Sequence, residues 1–140
     1  MNQLDGRILR SQKSQNLILD AIIKLINNGN LYPTAQEVAK ESGIAIRTVF
    51  RQFADMESLL MKVDELINEK LLNEESYINM SLSLSERLKK IIDERVYFYN
   101  KYENIMIATV TQLPKYKILQ KRYPEYQRLL RKRTEEIIPE

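Results

Sequence analysis

Four side chains able to read a base pair stand close together in this sequence: Arg47, Thr48, Arg51 and Gln52, all within IRTVFRQF. Arg forks onto guanine O6 and N7, Gln onto adenine N6 and N7, and Thr can meet a thymine methyl. Ile46, Val49, Phe50 and Phe53 fall at i, i+3, i+4 and i+7, one stripe of a short helix, which leaves the polar four on its other face. Upstream, Thr34 followed three residues later by Glu37 is a capping box that starts a helix. Val38 and Ala39 turn its apolar side inward, and Gly43 supplies the left-handed residue through which a chain leaves a helix. Residues 34–53, TAQEVAKESGIAIRTVFRQF, therefore read as a helix-turn-helix whose second helix would enter a major groove. The pattern equally suits an ordinary two-helix corner with a solvated polar face, and these residues alone leave both open.

The elements that must position this stretch follow from periodicity. Leu17, Ile18, Ala21, Ile22, Leu25 and Ile26 form the stripe of a first helix of about four turns, ending near Asn28 and Gly29. Arg7, Arg10 and Lys13 precede that stripe, where Arg10 and Lys13 would touch phosphates at the edge of a duplex; a frayed, charged terminus is the alternative. Tyr32, in the short connection to the capped helix, is expected on the core. Asp55 suits the N-cap of a long helix with Met56, Leu59, Leu60, Val63, Leu66, Ile67 and Leu71 inward and Asp64, Glu65 and Glu69 outward. Residues 73–84 show no period and read as a connection. Ser83 and Glu86 offer a second capping box, followed by a stripe of Leu88, Ile91, Ile92, Val96 and Tyr99. Residues 104–112 form a nearly uncharged stretch expected to be buried. Pro114 and Pro124 are expected to break the chain before a last helix with Tyr126, Leu129, Leu130 and Ile137 on one side and Arg128, Arg131, Lys132 and Arg133 mostly on the other. That basic side could be a second nucleic-acid surface or simply a solvated face.

Composition excludes several chemistries. The 140 residues contain no Cys and no His, so disulfides, thiolate or imidazole metal sites and imidazole base catalysis are impossible. No apolar run approaches a membrane span, and the opening MNQLDGRILRSQKSQ has no signal-peptide core. The net charge of +3 is uneven: residues 1–54 carry seven Lys or Arg against four Asp or Glu, residues 55–112 seven against eleven, and residues 113–140 eight against four. The basic N-terminal part coincides with the helix-turn-helix, as a nucleic-acid reader would require.

The succession of a first helix, the capped helix, GIAIRTVFRQF and an acid-capped long helix beginning DMESLL closely resembles the N-terminal domain of TetR-type transcriptional regulators. The resemblance covers roughly residues 17–63. It implies that three helices read the major groove, that the fourth leads into an all-helical effector domain, and that a small molecule bound there changes the separation of two reading heads in a dimer, usually for repression. By position, Arg47 and Thr48 fall where the family approaches bases; Phe50, Arg51 and Gln52 where it approaches bases or phosphates; Thr34 and Gln36 near a phosphate-favouring helix N-terminus. Three residues depart from the family: Ala45 replaces a frequent Ser that caps the reading helix, Phe50 a frequent Tyr and Met56 a frequent Lys. Arg47 in place of a frequent Gly adds a charge. Family effector sites draw on the part corresponding to residues 85–138, which makes Tyr97, Tyr99, Tyr102, Met106, Thr109 and Gln112 candidates for a pocket, with plain core packing as their other reading. The family usually continues into two further helices that pair subunits.

The expectation is therefore an all-α protein: a three-helix DNA-binding unit at residues 1–54, then a connecting helix and an incomplete helical effector-binding and dimerisation domain at residues 55–140. Its expected partners are double-stranded DNA, a small-molecule effector and, in the full-length form, a second copy of itself. It would be cytoplasmic, with no membrane contact, cofactor or metal. An interaction protein of the same fold that pairs with another regulator is the competing reading. An enzyme ranks below both, because no glycine-rich phosphate loop or paired-carboxylate motif stands in a recognisable context.

Overall fold

The computed structural model describes residues 3–74 and 78–139, and all its regular structure is helical. The helices are α1 (Gln3–Asn27), α2 (Ala35–Ser42), α3 (Ile46–Gln52), α4 (Met56–Glu74), α5 (Leu84–Lys101), α6 (Glu103–Gln112) and α7 (Lys117–Ile137). No helix among the described residues is long and apolar enough to cross a membrane. Of the irregular connection expected at residues 73–84, residues 75–77 lie outside the described residues.

Most helix ends are written locally. α1 stops in a Schellman motif: Gly29, at φ +93°, donates to Ile26 O at 2.9 Å and Asn30 donates to Leu25 O at 3.0 Å. Thr34 and Glu37 form the expected box, with Thr34 N donating to Glu37 Oε2 at 2.7 Å and Glu37 N to Thr34 Oγ1 at 3.3 Å. Gly43, at φ +68°, turns the chain out of α2, and Ser42 Oγ accepts from Ile44 N inside that turn. Asp55 Oδ1 accepts from both Ser58 N and Ser58 Oγ at 2.7 Å, and Ser83 with Glu86 repeats the capping box ahead of α5. These bonds hold the Glu37, Asp55 and Glu86 carboxyls below their ordinary pKa values.

α1 is the hub, contacting α2, α3, α4 and α6. Ile18, Ile22 and Ile26 share one buried cluster with Val38, Val49 and Phe53 and with Leu59, Val63, Phe98, Tyr102, Ile105 and Leu130, so one apolar core runs from the N-terminal helices into α4–α7. Two side-chain bonds reinforce that continuity: Asn104 Nδ2 donates to Asn27 O at 3.0 Å, and the buried Gln112 Nε2 donates to Leu31 O at 3.2 Å.

Several expectations are corrected. α1 is 25 residues long and not four turns, because no breaker separates its charged start from its apolar stripe. Arg10 Nε and Ser14 Oγ bond back to carbonyls one turn earlier, at Gly6 and Arg10. Tyr32 is exposed, and its neighbour Pro33 takes the buried place. Asp64 is buried, not outward. α5 turns Arg87, Ile91 and Phe98 inward and leaves Leu88, Ile92, Val96 and Tyr99 exposed. Arg87 can be buried because its guanidinium reaches Leu82 O and Ile137 O. Residues 104–112 fall in α6, where Ile105, Ala108 and Gln112 are buried but Ile107 and Val110 are not. α7 continues through Pro124, and Leu129 is exposed. Glu57 Oε1 of α4 accepts from Ile118 N at 3.0 Å, satisfying an otherwise orphaned donor in the first turn of α7.

Candidate functional site

Two places in the structure gather side chains with chemistry to offer. The first lies where α1 passes α3. Arg7, Arg10, Ser11 and Ser14 recur at i, i+3, i+4 and i+7 of α1 and face Arg51 and Gln52 across an open cleft of about 470 Å³. Three guanidinium groups thus line the cleft, donors suited to phosphate oxygens, beside two hydroxyls of which Ser14 Oγ already donates to Arg10 O. Ser11 Oγ donates to Gln52 Oε1 at 3.1 Å. That bond orients the Gln52 amide with its NH2 available, and it shares the oxygen that a bidentate adenine contact would also use.

The other residues expected at this site spread around the cleft. Arg47 and Phe50 are exposed on α3 and Thr48 is half-buried there, while Thr34 and Gln36 are exposed at the start of α2. Phe50 is therefore not part of an inward stripe, and of that stripe only Val49 and Phe53 are buried. Ala45 provides no side-chain cap to α3, whose first turn rests on Thr48 N donating to Ala45 O at 2.7 Å. Lys13 is exposed on α1 but does not line the cleft. Arg7 and Ser11 were not singled out as contacts in the sequence. Their signal was the i, i+3, i+4, i+7 spacing of polar residues, legible only once α1 is known to extend so far.

The second place is a largely enclosed cavity of about 40 Å³ between α4, α5, α6 and α7. Tyr99, Met106 and Thr109 line it, as expected of pocket residues; Tyr97, Tyr102 and Gln112 do not. Tyr97 points away and is exposed, Tyr102 packs on Phe98 with ring centroids 4.6 Å apart, and Gln112 is spent on the carbonyls of Leu31 and Ala108. The sequence reading missed Asp64, Asn68, Tyr123, Tyr126 and Gln127 in the lining.

Asp64 is 8% exposed, and burial pushes its carboxyl up to about 6 against the lowering influence of Arg122 and Asn68. The Arg122 guanidinium donates to Glu65 and, at 3.1 Å, to the Tyr126 hydroxyl. Lys62 adds a 3.1 Å ion pair to Glu65, whose carboxyl lies below its ordinary value despite its burial, and burial raises the Tyr126 hydroxyl above its own. Tyr99, Tyr123, Gln127 and Leu130 line both this cavity and an open groove of about 670 Å³ between α5 and α7, which also carries Arg95, Arg128 and Arg131. No set of three or more carboxylates that could hold a metal occurs among the described residues.

Comparison with protein-family models, characterised proteins and solved structures finds no match. The resemblance to TetR-type regulators therefore stands on the residues quoted for it.

Proposed function

We propose that the chain is a sequence-specific DNA-binding transcriptional regulator of TetR type, a ligand-responsive repressor that acts in the cytoplasm as a homodimer on a palindromic operator. The observation that carries this reading is the cleft that brings Arg7 and Arg10 of α1 to Arg51 and Gln52 of α3. In the proposed mode α2 and α3 are the helix-turn-helix, with α3 in the major groove. Arg47 and Thr48 meet base edges, while Arg51 and the α1 arginines hold the flanking phosphates. Phosphate contacts set register and orientation, and base contacts supply sequence preference.

The response to ligand has a physical route. α6 contributes Ile105, Met106 and Thr109 to the cavity and, through Asn104 and Gln112, is bonded to the carbonyls of Asn27 and Leu31 beside the DNA-reading helices. A ligand that shifts α6 moves the end of α1 and the start of α2 with it. Binding, and not catalysis, is the activity.

A second reading has its own observation. Leu88, Ile92, Val96 and Tyr97 are exposed on α5, as a chain that regulates by pairing with another protein would require. Fluorescence anisotropy against the duplex upstream of the chain's own coding sequence and a scrambled duplex separates the readings. Tighter binding to the upstream duplex is the expected result. Absence of binding to both at low salt overturns it in favour of the protein-pairing reading.

A further inference from the structure

We propose that the cavity between α4, α5, α6 and α7 receives the ammonium head of a small organic amine, with Asp64 as its counter-ion and Tyr99 and Tyr123 as the aromatic walls of its entrance. The inference names the ligand class for the ligand-responsive part of the function proposed above and rests on that part alone; it does not depend on DNA binding.

Three observations carry it. Among the described residues Asp64 is the one carboxylate that lines the cavity, no Lys or Arg lines it, and the rest of the described wall is apolar, aromatic or amide and hydroxyl. A buried carboxylate is costly unless paired. Arg122 moderates that cost from outside the lining, since its donors go to Glu65 and Tyr126, and within the lining only the neutral Asn68 side chain does so. A cation delivered into the cavity would supply the missing charge, and tyrosine rings attract cations over their faces.

Size and surroundings narrow the class. A volume of about 40 Å³ holds a few waters or an ammonium group, not a drug-sized molecule. The remainder of a ligand must pass Tyr99 and Tyr123 into the outer groove, where Arg128 and Arg131 are exposed. Those arginines favour an anionic tail, accept a neutral one and repel a second ammonium. The cavity thus selects monoamines over diamines and rejects simple carboxylates. Around Asp64 the charged and titratable neighbours are Glu65 on its own helix, Arg122, Tyr123 and Tyr126 from α7, and Tyr99 from α5. Protonation of Asp64 itself would gate amine binding in mildly acid solution.

Isothermal titration calorimetry of the chain with hexylamine, 6-aminohexanoate, 1,6-diaminohexane and hexanoate tests the inference. At about pH 7.5 the first two are expected to bind, the diamine at least about tenfold more weakly and hexanoate not at all. Affinity for hexylamine should fall about tenfold at about pH 5, where Asp64 is mostly protonated. Asp64→Asn should abolish amine binding while melting no lower than wild type. Arg128→Glu combined with Arg131→Glu, at exposed positions, should bring the diamine to at least the affinity of hexylamine. Failure of both amines to bind overturns the proposal even where DNA binding persists, as does undiminished binding by Asp64→Asn. Amine binding in a chain that does not bind DNA leaves the site standing and removes only the regulatory role.

Discussion

At the scale of single residues, the two sites make opposite electrostatic demands. Arg47 stands exposed on α3. If it reads a guanine, Arg47→Ala should cost about 1 to 3 kcal/mol of binding and relax preference at one operator position, whereas Lys13→Ala should weaken all sequences alike. Competition assays with single-base operator variants distinguish these outcomes. Asp64 behaves in the reverse sense, because its charge is held where solvation is poor. Its folded pKa of about 6 lies above the ordinary aspartate value of 3.8, so the folded state binds the proton more tightly than the unfolded chain does. The resulting stabilisation is fully present below about pH 4 and is lost as pH rises through about 6. Asp64→Asn should therefore raise stability at neutral pH, by about 3 kcal/mol at most, with the advantage shrinking towards pH 4 in denaturant melts. The sequence contained a sign of this. Asp64 falls in register with Leu60, Ile67 and Leu71, a carboxylate on the apolar stripe of α4, but a charged residue there is by default assigned to water.

At the scale of elements, what was legible was what is written locally. Both capping boxes, the Asp55 cap and the Gly43 turn involve residues a few positions apart, so sequence spacing fixes their geometry. Long-range choices were not legible. α5 carries apolar residues on two adjoining faces, and which one turns inward depends on α6 and α7, including the carbonyls of Leu130 and Ile137 that accept from Arg95 and Arg87. Pro124 does not end α7, which is tied to α4 ahead of it by Ile118 N donating to Glu57 and by the Arg122–Glu65 ion pair. The caps give two tests by thermal melting. Thr34→Ala should destabilise the chain by about 1 kcal/mol, and Ala45→Ser, which supplies the hydroxyl that α3 lacks, should stabilise it by up to a similar amount. On the proposed function, Ala45→Ser also tightens DNA binding by holding α3 more firmly.

At the scale of the whole molecule, a single core joins α1, α2 and α3 to the helices around the cavity, and Gln112 is a polar member of that junction. Gln112→Leu removes the bond to Leu31 O at nearly constant volume. On the proposed function it should leave amine binding at the cavity intact while reducing any change in DNA affinity caused by amine, measured by anisotropy with and without hexylamine. The central claim, that α1 and α3 together hold a duplex, is tested most directly by the salt dependence of binding. For wild type, log K should fall linearly with log salt between about 50 and 200 mM, with a slope near −0.9 per neutralised phosphate. Arg7→Ala combined with Arg10→Ala should make the slope shallower by about 2 on upstream and scrambled duplexes alike, while the ratio between the two duplexes is retained. An unchanged slope in the double variant, or the absence of salt-sensitive binding by wild type, would contradict it.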